Sequence, residues 1–142
     1  MVATIDQTHS SPLHPIHAVL LSSTVPLFLG ALLSDIAYSN SYQVQWTNFA
    51  SWLIVGGLVF TVAALLWALI GLLRIDRRGG RRLAYFLLLL GTFVLAFANA
   101  LVHARDAWAS MPAGLILSAL VLILALAAVW TGFSRQRAGE AK

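Results

Sequence analysis

The sequence predicts an all-α protein: a four-helix transmembrane bundle, up-down-up-down, with both termini cytoplasmic. Three observations carry that prediction. The 142 residues are 60% hydrophobic and only 10% charged. That is too little charge to cover a soluble domain of this size, so the bilayer is the natural solvent. The apolar residues gather into four runs, each near the roughly 20 residues that cross a hydrocarbon core about 30 Å thick. Lysines and arginines fall almost entirely to one side of those runs.

The runs are Ile16 to Tyr38, Phe49 to Leu73, Leu83 to Val102 and Pro112 to Phe133. They form a single four-span domain, residues 16–133, between an N-terminal segment, 1–15, and a tail, 134–142. The last three contain no Asp, Glu, Lys or Arg. The first lies where a secretory signal would, but Met1 to Pro15 lacks a basic n-region and the run is too long, so it reads as an uncleaved span. The connections Ser39 to Asn48, Arg74 to Arg82 and His103 to Met111 are short, which makes consecutive helices antiparallel neighbours.

With the N-terminus inside, the cytoplasmic side holds Arg74, Arg77, Arg78, Arg81, Arg82, Arg135, Arg137 and Lys142, and the outer side only Arg105. This bias orients a multi-pass membrane protein with both termini in the cytoplasm. The arginines between the second and third spans read as a topology determinant touching anionic lipid headgroups, with no nucleic-acid partner. Aromatic residues near the run ends suit headgroup depth: Tyr38, Tyr42, Trp46, Trp52 and Trp108 outside, Tyr85 and Trp130 inside.

Helices pack closely in lipid where small residues let backbones approach. The second span spaces Ala50, Gly57, Ala64 and Gly71 by sevens, and the third spaces Ala84, Gly91 and Ala98 likewise. Both stripes read as packing seams. The chain has no cysteine, which excludes disulfides, thiolate metal sites, iron–sulfur clusters and thioether-linked haem.

Few polar groups enter the spans. His17 and Asp35 are eighteen residues, five turns, apart on one helix face with Leu21, Thr24 and Phe28 between them, and so about 27 Å apart along the axis. Pro26 removes an N–H and leaves the Ser22 carbonyl without its helical donor, a kink that Ser22, Ser23 and Thr24 are placed to repair. Asp35 is the one acid inside a span and needs a partner. Antiparallel topology brings Asn99, His103 and Arg105, at the end of the third span, to its level, so a polar cluster of these four residues is expected. A structural role for it is favoured over a proton, quinone or ion site. His14 and His17, three apart, form a candidate metal or ligand site, with solvated imidazoles as the alternative. A haem b bridging His17 and His103 is disfavoured because the two histidines fall at opposite ends of the bundle.

The entry "HPIH" at His14 to His17, the run ending "GALLSD" at Asp35, and "VHARDAWASMP" from Val102 to Pro112 resemble the DUF2231 family of predicted prokaryotic membrane proteins. The resemblance covers Pro12 to Phe133 and implies four spans. It also implies motif positions at His14, Pro15, His17 and Asp35, with His103 and Arg105 at the polar end of the third span. Ala18 stands where the family has a second proline, and "SSTVPL" replaces its usual "Phe-Pro-Ile". The family implies no activity, only a contextual association with respiratory or redox proteins.

The expected function is therefore that of a non-catalytic integral membrane protein. It would act as subunit, anchor or assembly partner of a membrane complex, in contact with other membrane proteins or with copies of itself. No cofactor is expected. The alternative is a redox module interacting with quinone or haem, and a third reading is a small transporter-like oligomer.

Overall fold

The computed structural model describes residues 14–73 and 80–140, with the side chains of residue 81 and residues 135–140 outside the description. Arg74, Arg77, Arg78 and Lys142 of the predicted topology set therefore lie outside the described residues, as do the side chains of Arg81, Arg135 and Arg137. Five helices occur among the described residues: α1 (Pro15–Ser41), α2 (Val44–Leu73), α3 (Gly80–His103), the short α4 (Ala107–Ser110) and α5 (Ala113–Glu140). Four are long and apolar enough to cross a membrane: Pro15–Ser41, Val44–Leu73, Arg82–His103 and Ala113–Ser134.

The helices outrun the apolar stretches. Beyond Tyr38, α1 continues for a turn because Ser39 and Asn40 donate to the Ile36 carbonyl and Ser41 donates to that of Ala37. Tyr42 then takes a left-handed conformation, φ 55°, with its N–H on the Tyr38 carbonyl. Only Tyr42 and Gln43 separate α1 from α2. The predicted ten-residue connection is thus mostly helix, since its polar side chains satisfy helical carbonyls that side chains in a loop would leave to water.

Each long helix turns one face inward. On α1 the buried stripe is His17, Leu21, Thr24, Phe28, Ala31, Asp35 and Tyr38, with Ser34 buried beside it, and on α2 it is Thr47, Ala50, Ile54, Gly57, Thr61 and Ala64. The spacing alternates threes and fours, the seven-residue repeat of helices that cross at about 20°. On α3 the same repeat buries Tyr85, Leu89, Thr92, Ala96, Asn99 and His103. The predicted second-span seam lies on the inward face at Ala50, Gly57 and Ala64. The third-span seam does not: Ala84 is exposed, Gly91 and Ala98 are half-buried, and a Cβ on Gly91 would meet nothing within 4 Å. Bulkier residues fill the inward face of α3, so its small stripe looks outward.

The helices form a ring in the order α1, α2, α3, α5, back to α1. Phe28 lies over Gly57 and His17 stacks near Trp67, which sets α1 and α2 antiparallel. His103 lies over Gly114 and Tyr85 over Gly132, which does the same for α3 and α5. α1 and α3 are diagonally opposed and parallel, since His17 meets Tyr85 and Asp35 meets His103 in the same order along both helices. Leu21, Ala64, Tyr85, Leu89 and Ala128 make one core cluster, and Phe28, Ala96, Val121 and Ala125 another. A layer of hydroxyls between them comes from Thr24, Thr61 and Thr92, each donating to its own helix at the carbonyls of Leu21, Gly57 and Leu88.

α1 runs unbroken through Pro26. The expected repair of the Ser22 carbonyl is not what Ser23 and Thr24 do: they donate to the carbonyls of Val19 and Leu21. Two predicted interfacial rings also lie elsewhere. Tyr38 and Tyr85 are only 2% and 4% exposed, because each occupies an inward position of its heptad. Trp52, Trp108 and Trp130 do face outward.

Candidate functional site

Two polar pairs cross the diagonal of the bundle. Near the α1–α2 turn, His103 Nε2 meets Asp35 Oδ1 at 2.8 Å, with both side chains fully shielded from solvent. Near the termini, His17 Nε2 meets the Tyr85 hydroxyl at 2.9 Å. Each pair joins residues 68 apart in sequence. Parallel helices in one register keep that offset, and five turns, about 27 Å, separate the pairs.

The Asp35 end is the more elaborate. Ser118 of α5 donates to Asp35 Oδ2, and Asn99 Nδ2 donates to Ser118 Oγ at 2.8 Å. His103 Nδ1 lies 3.0 Å from the Asn99 carbonyl, to which it donates. A carbonyl only accepts, so Nδ1 carries a hydrogen, and one further proton lies between Nε2 and Oδ1. Whether that proton sits on nitrogen or oxygen, the pair has no net charge, which is how an acid and an imidazole are accommodated together where isolated charges cost several kcal/mol. Gly114 makes the geometry possible, since a Cβ there would sit 2.8 Å from His103 Cε1.

The four predicted cluster residues are thus placed unequally. Asp35 and His103 bond directly, and Asn99 reaches Asp35 through Ser118. Arg105 is exposed in the turn after α3 and takes no part in these hydrogen bonds. A long cation has water within reach there, and the pair is already neutral. Ser118 was missed from sequence. Its signal was one of two hydroxyls inside the fourth apolar run, and only the burial pattern distinguishes it from the other, Thr131.

Serine, histidine and aspartate meet here without forming a nucleophilic triad. Ser118 is bonded to the carboxylate and not to the imidazole, so the histidine is not placed to withdraw its proton. The cluster can hold and exchange one proton and can tie α1, α3 and α5 together.

At the other end, His14 and His17 both lie against Trp67, with ring centroids 5.0 and 6.1 Å away. His14 is exposed and His17 is buried, so the predicted histidine pair is divided between surface and core. No group of three or more His, Cys, Asp or Glu suited to a metal ion occurs among the described residues. The two buried histidines lie at opposite ends of the bundle, His17 on Tyr85 and His103 on Asp35.

A model of a family of predicted membrane proteins, DUF2231, matches residues 13–136. The chain belongs to the DUF2231 family. Its match takes in all four spans, the His14–His17 entry and the whole Asp35 cluster. No curated protein and no solved structure matches this DUF2231 chain.

Proposed function

We propose that this DUF2231 protein works without catalysis of its own, as a subunit, anchor or assembly partner of a complex in the prokaryotic plasma membrane, with both termini cytoplasmic. One observation carries the reading: the Ala84, Gly91 and Ala98 stripe of α3 is left outside the bundle, with open space over Gly91. Small residues at seven-residue spacing admit the close backbone approach that transmembrane helices need to associate. The bundle's own packing only half covers Gly91 and Ala98 and leaves Ala84 exposed. Mild solubilisation followed by affinity purification tests it. Other membrane proteins, or a second copy, should accompany the wild-type chain and be lost from Gly91→Leu, and purification only as a free monomer rejects the reading.

The orientation rests on the arginine and lysine bias. The chain lacks cysteine, so single cysteines introduced at Ser41 and Ser134 report sidedness to an impermeant thiol reagent without background.

A second reading, a redox or quinone-interacting module, is favoured by the Asp35–His103 pair, which holds a transferable proton inside an apolar bundle. Quinone chemistry couples electrons to protons, and such a pair is the kind of group that exchanges them. Visible spectra of oxidised and reduced protein, with extraction of bound lipophilic quinone, test this reading. A flat trace above the aromatic bands together with an empty extract rejects it.

A further inference from the structure

Among the described residues, two buried oxygens beside the Asp35 cluster have no hydrogen-bond partner: Thr47 Oγ1 and Asn99 Oδ1. Both residues are more than nine-tenths buried, Thr47 at 6% and Asn99 at 1% exposed. The amide orientation of Asn99 is fixed by its neighbours. Ser118 spends its one proton on Asp35, so it must accept from Asn99 Nδ2, and Oδ1 is left pointing elsewhere. Thr47 departs from its own kind. The buried Thr24, Thr61 and Thr92 all donate to a carbonyl of their own helix, whereas the Thr47 hydroxyl makes no such bond.

Their levels bracket the proton-holding pair. Phe28 opposite Gly57 and His17 opposite Trp67 set the α1–α2 register, and this puts Thr47 one turn beyond Asp35 toward the α1–α2 turn. Asn99 lies one turn on the other side, four residues before His103. Ser110, fully buried on α4 at the same end, donates to the Ala107 carbonyl and keeps its lone pairs. A buried oxygen with no protein donor or acceptor is the usual mark of an internal water, which in turn needs two to four polar neighbours. The first requirement is met at both oxygens, and Asp35, Ser110 and Ser118 are the buried polar groups at this end of the bundle that can supply the second.

We infer that Thr47 Oγ1 and Asn99 Oδ1 mark two water-binding positions flanking the Asp35–His103 pair, and that the Thr47 position connects the pair's shared proton to the aqueous phase at the α1–α2 turn. The sidedness follows from what lies on each side. Inward, the core closes over Phe28, Ala96 and Val121. Outward lie Thr47, Ser110 and the buried Tyr38, whose ring fills the space one turn beyond Asp35 and whose hydroxyl adds a third polar group at this level, then the turn itself. The titratable and charged groups near this route are Asp35 and the buried Tyr38 from α1, the exposed Tyr42 in the turn, His103 from α3, and the exposed Arg105 and Asp106 after α3. α2 carries no charged residue at all. The site stores a proton and exchanges it with one side only, which requires neither the assembly role nor a bound quinone.

Nitrogen-15 histidine NMR of the full chain in lipid nanodiscs tests this, with His103 assigned by its loss in His103→Gln. After transfer to deuterated water, the His103 ring N–H should exchange in the wild type and in Thr47→Ser. In Thr47→Val, an isosteric change, exchange should be slower by about tenfold or more, with the His103 shifts unmoved. Equal rates in wild type and Thr47→Val overturn the inference. So does wild-type exchange as slow as that of the Ile54 amide in the core. A measurement needing no variant is magnetisation transfer from water to the Asn99 side-chain amide: a signal is expected, and its absence overturns the Asn99 position.

Discussion

Asp35 and His103 face each other across the full diagonal of the bundle at 2.8 Å, although α1 and α3 are not neighbours in the ring. The pair therefore reports on how all four helices are spaced, since it closes only if α2 and α5 hold α1 and α3 at the right separation. His17 and Tyr85 do the same five turns away.

Asp35→Asn should destabilise the protein in detergent. The variant keeps shape but cannot accept at both oxygens from Ser118 and His103. Breaking a buried pair costs about 3–5 kcal/mol in water-soluble cores, while single interhelical hydrogen bonds in membranes average about 0.6 kcal/mol. With two such bonds at stake, about 1–3 kcal/mol is expected. In a double-mutant cycle with His103→Gln, the two losses should sum to more than the double variant loses, by about 1 kcal/mol. Additive losses in thermal or denaturant unfolding would show that the pair carries no coupling.

Gly114→Ala should be far worse than Gly91→Ala. The added methyl at 114 collides with the His103 ring, whereas at 91 it enters open space. Overpacking costs about 1–3 kcal/mol, and the His103 ring resonances should move in the first variant alone. A Gly114→Ala protein with wild-type stability and unshifted His103 signals contradicts this placement of the ring.

Tyr85→Phe removes the hydroxyl that meets His17 and leaves the ring over Gly132. A loss of about 0.5–1.5 kcal/mol is expected from one hydrogen bond, with the Trp67 fluorescence changed because His17 stacks near that indole. Unfolding followed through Trp67 reads both effects, and an unchanged midpoint would place the strength of this end in packing alone.

Thr61→Val should be nearly silent, within about 0.5 kcal/mol. The hydroxyl donates to the Gly57 carbonyl of its own helix, so its removal orphans no group on another helix, and valine fills the same volume. A loss above about 1 kcal/mol would mean that the threonine layer bonds across helices.

The four spans were legible because lipid imposes a simple requirement: about 20 apolar residues with every backbone group satisfied within the helix. Asp35 and His103 were legible as partners for a related reason. Helical periodicity fixed their faces, short connections fixed the antiparallel order, and a lone acid in a span needs company. The small stripe on α3 misled, since Ala84, Gly91 and Ala98 share a face with perfect spacing but the inward face belongs to Tyr85, Leu89, Thr92, Ala96, Asn99 and His103. Both faces repeat by sevens, and composition alone cannot say which one turns inward.

By itself, then, the sequence determined the family, through its motifs, and the number of spans, their alternation and the end of the bundle at which Asp35 would find its partner, which follow from local periodicity and from the cost of polar groups in hydrocarbon. Only the tertiary structure decided that Ser118 completes the cluster, that Arg105 stays outside it, and that Tyr85 is a core partner of His17. Those outcomes depend on the register between helices, which is set where side chains such as Phe28 and His103 meet glycines on the facing helix. Such contacts join residues far apart in the chain and leave no periodic trace along it.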